Sequence, residues 1–189
     1  MSDRGGWKKY ERQCAELLSI WWDGNKKQFR RLPLKAGWQW DARGPDIVRL
    51  LDPKEKSPSS DVIDYSFPFF VECKKRKAMN ITELVGKPPK PGNNITGWYL
   101  KTAQRAIGGK TFPMVFARFP RSHTNFIFIP LAAIPKSERK KCRYMRVTFP
   151  GAPKLMKVVG IFDAKELKKI NRTKVKKHVE SKRKKIKKR

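Results

Sequence analysis

Two stretches of this chain decide how it folds: GPDIVRLL at residues 44–51 and FPFFVECK at residues 67–74. Branched and aromatic side chains dominate both, and such residues favour β-strands. The first stretch predicts a strand that begins at Asp46. The second is apolar on both faces as far as Glu72, which is typical of a central, buried strand. Each predicted strand therefore carries one carboxylate.

The carboxylate Glu72 is followed two positions later by Lys74, and residues two apart on a strand point to the same face. Buried charges are costly unless they are paired or bound, and a divalent cation together with a phosphate would satisfy both groups. If the two strands pair, about 4.8 Å apart, Asp46 and Glu72 can share one Mg²⁺ or Mn²⁺. A water on that ion would be the nucleophile, and Lys74 would orient it or stabilise the developing charge.

The rest of the chain alternates between helical and strand patterns. Apolar periodicity predicts helices at 11–22 and 95–107, and the Gly and Pro positions separate them from the strands. This order predicts an α/β or α+β domain with a mixed β-sheet flanked by helices, over residues 1–163. The predicted further strands are 28–34, 114–119, 125–130, 144–149 and 157–162, with the last two at the edges of the sheet.

The charge of the chain indicates its partner. It has 46 Lys and Arg against 16 Asp and Glu, a net charge of +30, so nucleic acid is the expected ligand. A membrane surface is disfavoured because it would select a basic helix with a clear apolar face, and the most basic segment has few large apolar residues. The N-terminal ten residues lack the apolar core of a signal peptide and no apolar run is long enough to span a membrane, so a cytoplasmic location is expected.

Residues 164–189 are predicted to form a basic C-terminal tail that is helical to residue 170 and disordered beyond it. This tail is expected to be a non-specific nucleic-acid anchor.

The motif GPDIV at residues 44–48, followed by Val71-Glu72-Cys73-Lys74, resembles the PD-(D/E)xK nuclease superfamily. The resemblance implies a restriction-endonuclease-like fold and a catalytic set of Asp46, Glu72 and Lys74, with Glu11 on a preceding helix. It also implies a Mg²⁺ or Mn²⁺ ion held by Asp46, Glu72 and the main-chain carbonyl of Cys73.

Within that superfamily the chain is most similar to Holliday junction resolvase-like enzymes and related phage endonucleases. Residues 28–37 resemble their basic loop, and residues 98–104 resemble the helix that follows the ExK strand in phage members. The resemblance implies cleavage of branched DNA, a homodimer, and action in the host cytoplasm if the gene belongs to a phage. The nucleic-acid-binding residues it implies are Arg30, Arg31, Lys35, Lys75, Arg76, Lys77, Lys101 and Gln104.

Several alternatives remain open at the level of sequence. Glu72 and Lys74 could form a surface ion pair of little energetic value. Glu11, in the first turn of its predicted helix, is favoured there by the helix dipole alone. A restriction-type or structure-nonspecific endonuclease of the same fold would carry the same motif. A non-catalytic basic protein would bind nucleic acid with a steep salt dependence and would not cleave it.

Overall fold

The computed structural model describes residues 4–24, 28–31, 44–50, 63–64, 66–75, 94–118 and 124–186. The chain divides into two compact units, residues 1–67 and residues 68–189. Both units mix helices with strands, and the sheet of the second unit is mixed and flanked by helices. The predicted α+β class with a mixed sheet is therefore confirmed. Within the described ranges, no helix is both long and apolar enough to cross a membrane.

The described residues of the first unit form a long helix and two short strands. Helix α1 spans Arg4–Asp23, seven residues longer at its start than the sequence predicted. It is followed by Gly24, whose φ of 64° suits glycine. Strands β1, Phe29–Arg31, and β2, Ile47–Arg49, pair antiparallel. The Ser19 hydroxyl of α1 accepts from the Phe29 amide at 3.1 Å, which fixes β1 against the helix.

An arginine on β2 forms hydrogen bonds to three separate segments of this unit. Arg49 donates to Asp23 at the end of α1, to Gln28 before β1, and to Asp64. Burial alone would lower the pKa of Arg49, but its hydrogen bonds to Asp23 and Asp64 outweigh that effect and raise it. Burial would likewise raise the pKa of Asp64, and hydrogen bonds from Ser66 and Arg49 lower it instead. The network therefore stabilises the β2 strand that follows Asp46.

In the second unit, the residues that the structure describes form five strands in the order β3-β4-β5-β7-β6. Strands β3 and β4 are parallel and the remaining neighbours are antiparallel. Strand β7 pairs with both β5 and β6, so the prediction that its segment lies at an edge is wrong. Its residues Val159 to Phe162 are buried, as an interior strand requires. The strand bounds are β3 Phe69–Lys75, β4 Phe112–Arg118, β5 Asn125–Pro130, β6 Tyr144–Thr148 and β7 Val158–Asp163.

Helix α2, Ile95–Gly108, lies in sequence between the parallel strands β3 and β4, because a parallel pair needs a crossover connection. Asn94 caps its start by accepting from the Gly97 amide at 2.6 Å. The Tyr99 ring stacks on Phe149 at 4.7 Å and its hydroxyl donates to a main-chain oxygen, which anchors the helix in the core. Burial raises the pKa of Tyr99 well above its ordinary value.

The C-terminal segment is a packed helix over most of its length, so the prediction of disorder beyond residue 170 is wrong. A short 3₁₀ segment, Ala164–Lys169, leads into helix α4, Arg172–Ile186. Val175 and Val179, one helical turn apart, are fully buried, and such apolar burial outweighs the repulsion among the surrounding lysines. The start of α4 is held by Glu138 of the short helix α3, Lys136–Arg139.

Candidate active site

The acidic and basic residues of the ExK sequence meet on strand β3. Glu72 is only 3% exposed, and its Oε2 lies 3.2 Å from the Nζ of Lys74. Their projection to the same face of the strand is therefore confirmed. Because the carboxylate is buried, the pair differs from the surface ion pair that the sequence alone left open. Val71 and Cys73, which alternate with them, are fully buried.

Two residues of helix α2 complete the surroundings of Glu72. Arg105 donates from Nη1 to Oε1 of the carboxylate. The hydroxyl of Thr102 lies 2.9 Å from Oε2 and 2.7 Å from the main-chain oxygen of Trp98, so its one proton is shared between two acceptors. Glu72 thus faces two cations and a hydroxyl within the second unit.

Sequence reasoning assigned no role to Thr102 and Arg105, although the signal for them was present. Trp98, Thr102 and Arg105 recur at helical spacing and so share one side of α2. A polar stripe on a helix that follows a strand bearing a buried carboxylate indicates that the stripe faces the acid. The exposed neighbours Lys101 and Gln104, which the resemblance selected instead, lie on the outer side of α2.

Asp46 directly precedes β2, which begins at Ile47, one residue later than the sequence predicted, and Asp46 is half-buried. The antiparallel pairing of β1 with β2 and the Arg49 network hold the strand that carries it. Asp46 belongs to the first unit and Glu72 to the second. Their shared coordination of one cation stays a prediction.

Glu11 lies in the interior of α1, not in the first turn, because the helix begins seven residues earlier. The prediction of a first-turn position favoured by the helix dipole is therefore wrong. Glu11 is 4% exposed, and it accepts hydrogen bonds from Arg31 of β1 and from the indole Nε1 of Trp7. Its burial is explained by this pairing, since an unpaired buried carboxylate would be costly.

The predicted nucleic-acid-binding residues fall into three groups. Arg30 on β1 is exposed, as are Lys101 and Gln104 on α2. Arg31 and Lys75 are half-buried, and Arg31 is engaged by Glu11. The remaining three lie outside the described residues: Lys35, Arg76 and Lys77.

The donor atoms of this site suit a hard divalent cation better than a soft one. Across the part of the chain that the structure describes, no three His, Cys, Asp or Glu side chains cluster as a metal site. An ion here would need main-chain and water oxygens beside its carboxylates, which is how Mg²⁺ is usually held. The Glu72 carboxylate has about four lone-pair positions, and the described donors Arg105, Thr102 and Lys74 approach three. Glu72 can therefore accept a cation, in competition with Arg105.

Comparison with known protein families identifies this chain over nearly its whole length. Residues 3–181 match the family described as "Phage putative PDDEXK endonuclease". This range includes both units and most of helix α4. Neither a curated protein nor a solved structure matches the chain.

Proposed function

Because the chain belongs to this family of phage PDDEXK endonucleases, we propose that it hydrolyses phosphodiester bonds of DNA with a Mg²⁺ or Mn²⁺ ion held by Asp46 and Glu72. The main-chain carbonyl of Cys73, which follows Glu72 on β3, is the proposed third protein ligand. When bound, the ion would supply Lewis-acid charge to the scissile phosphate. The orientation of the attacking water and the stabilisation of developing charge would be the task of Lys74 and the other side chains of the site.

The buried, cation-paired Glu72 is the observation that supports this proposal most strongly. A buried acid on an apolar strand is costly unless it is paired or bound, and clusters of buried, paired charges are frequent at functional sites. Lys74, 23% exposed and 3.2 Å from the acid, can keep contact with Glu72 while its ammonium reaches towards solvent. We propose that Lys74 orients the attacking water or stabilises negative charge that develops on the phosphate. Thr102 positions Glu72 by donating to Oε2.

Charge supports DNA as the substrate. The net charge of +30 attracts a polyanion, and each phosphate contact releases counterions from the duplex. Exposed cations are present on both units: Arg30 on β1, Lys101 on α2, and Lys176 and Lys177 on helix α4. We propose that these groups, with Gln104, Lys75 and the other predicted basic residues, bind the DNA backbone. Helix α4 would present its lysines on a packed framework rather than as a loose arm.

The finer points of the proposal rest on the order of motifs in the sequence. We propose that four-way junctions are cleaved in preference to linear duplexes, by a homodimer that places one active site on each of two strands. Glu11 would act as a supporting acid of the same centre. The host cytoplasm is the proposed compartment, since DNA of an infecting phage is processed there.

Cleavage of a labelled four-way junction, beside a linear duplex of the same sequence, tests this function. The full chain is incubated with Mg²⁺, with Mn²⁺ or with EDTA, and compared with Glu72→Gln and Lys74→Ala. Glu180→Gln is the matched control, because Glu180 is an exposed acid on α4. We expect metal-dependent cutting that Glu72→Gln abolishes, that Lys74→Ala reduces at least 100-fold (roughly the contribution of one electrostatic stabiliser), and that Glu180→Gln retains.

Each other outcome removes a defined part of the proposal. Equal cutting of junction and linear DNA would remove the junction preference and leave a general endonuclease. Tight, salt-sensitive binding with no cutting under either metal would contradict the catalytic function and leave a basic nucleic-acid-binding protein. Cutting of RNA in place of DNA would contradict the substrate.

A further inference from the structure

The charges around Glu72 do not match those expected of a site ready for a divalent cation. The carboxylate contributes one negative charge, whereas Lys74 and Arg105, both in direct contact with it, contribute two positive charges. Within the second unit, a divalent ion that approached Glu72 would meet a net positive charge in a poorly solvated environment, where like charges repel strongly, and Asp46, the other proposed ligand, would bring that charge only to zero. If Arg105 alone were removed, the remaining Glu72–Lys74 pair would carry no net charge.

Arg105 is the cation of this cluster that can leave. Its side chain is 32% exposed, against 23% for Lys74 and 4% for Glu72. It projects from the last turn of α2, where the carbonyl ends of the helix favour a positive charge. A guanidinium displaced from Glu72 can therefore remain near the site in contact with water. Lys74 is attached to the same strand as Glu72, two residues away, and is less able to separate from it.

We propose that Arg105 is a resident counter-ion of Glu72 which the catalytic cation displaces, and that the released guanidinium then binds a phosphate of the DNA. This inference rests on the proposed function. Before the ion binds, Arg105 satisfies a buried carboxylate that would otherwise destabilise the second unit. After it binds, Arg105 becomes available to the backbone, for which its planar fork of donors is well suited. Cation binding and DNA binding are thereby coupled.

The coupling can be measured without any cleavage. Thermal unfolding of the full chain is recorded in EDTA and at increasing Mg²⁺ or Mn²⁺ for the wild type and Arg105→Gln, and cation affinity is measured by titration calorimetry. We expect Arg105→Gln to unfold at a lower temperature in EDTA, because Glu72 loses a partner. We also expect the variant to bind the cation about tenfold more tightly, because Arg105 no longer competes for Glu72. Since a ligand that binds the native state stabilises it, added cation should raise the unfolding temperature of the variant more than that of the wild type.

Two control variants separate this idea from a general loosening of the site. Arg146→Gln removes the same charge from the exposed strand β6, four strands and about 19 Å across the sheet from β3. Thr102→Val removes a hydrogen bond from the same carboxylate and no charge. We expect neither to increase cation affinity. Arg105→Lys, which keeps the charge, should resemble the wild type, and Arg105→Met, which removes the charge and keeps the aliphatic part of the side chain, replaces Arg105→Gln if that variant does not fold.

DNA binding gives the second readout, with a phosphorothioate duplex that resists cleavage. In EDTA, Arg105→Gln and wild type should bind alike, because Arg105 is engaged by Glu72. With Mg²⁺, the variant should bind more weakly and its salt dependence should fall by about one phosphate contact. If the wild type binds the cation and Arg105→Gln gains no affinity for it, displacement is refuted and the proposed function stands. If the wild type binds neither Mg²⁺ nor Mn²⁺, the metal-dependent function and the displacement are both refuted.

Discussion

Replacement of Glu138 by alanine should detach the start of the basic helix α4 and lower the stability of the second unit. Glu138 is fully buried, and it accepts from the Asn171 main-chain amide at 2.8 Å and from Lys141 at 2.9 Å, with Lys174 at 3.5 Å. Loss of the acceptor for the Asn171 amide should cost about 1–3 kcal/mol. The two lysines are 48% and 58% exposed, so they return to water at a cost of about 0–1 kcal/mol each. We therefore expect about 2–3 kcal/mol in total.

For a chain of this length, about 2 kcal/mol corresponds to a decrease of roughly 4–8 °C in the unfolding temperature. Differential scanning calorimetry measures that decrease, and hydrogen exchange should show lower protection in α4 than in β4. Glu138→Gln is the matched variant, because its amide oxygen can still accept from Asn171, and we expect it to lose less than half as much. An unfolding temperature for Glu138→Ala within 1 °C of wild type would refute the role of this acid.

Three further perturbations test the packing and charges described above. Gly160→Ala on β7 should cost about 1–3 kcal/mol in urea unfolding, since a Cβ there would lie 2.5 Å from the Phe162 ring, and a wild-type midpoint would contradict this close packing. Arg49→Ala should destabilise the first unit by about 3 kcal/mol because two buried acids lose their partner, measured as earlier loss of protection in α1 and β2. Hydrogen bonds lower the folded-state pKa of Glu138 and Glu166 below 4.5, so the stability they contribute is present above that pH and is lost as the pH falls through the lowered values. Urea titrations of wild type and the double Gln variant should converge as the pH falls well below 4.5, and a constant difference would exclude this linkage.

Local patterns in the sequence identified most of the elements of this protein. The strand that carries Glu72 and Lys74 is recognisable because an apolar run of β-branched and aromatic residues is typical of a buried strand. Period-two alternation then places both charges on one face of that strand. Strand β5 was predicted with its observed bounds, and helix α2 to within one residue. The helical spacing of Val175 and Val179 was also present, but the excess of lysine around them indicated a solvated tail.

Other features depended on contacts between residues far apart in the sequence. The pairing of Glu72 with Arg105 joins positions 33 residues apart, and the pairing of Glu11 with Arg31 joins positions 20 apart. The interior position of β7 follows from strand order, which local propensity does not encode.

The sequence by itself determined the identity and order of the acidic and basic residues of the PD and ExK motifs, because these are local and their chemistry belongs to the side chains. The tertiary structure alone decided that Glu72 is surrounded by two cations and that the basic C-terminus packs as a helix. Both outcomes result from burial, since a buried carboxylate must find partners and a buried apolar stripe must find a core.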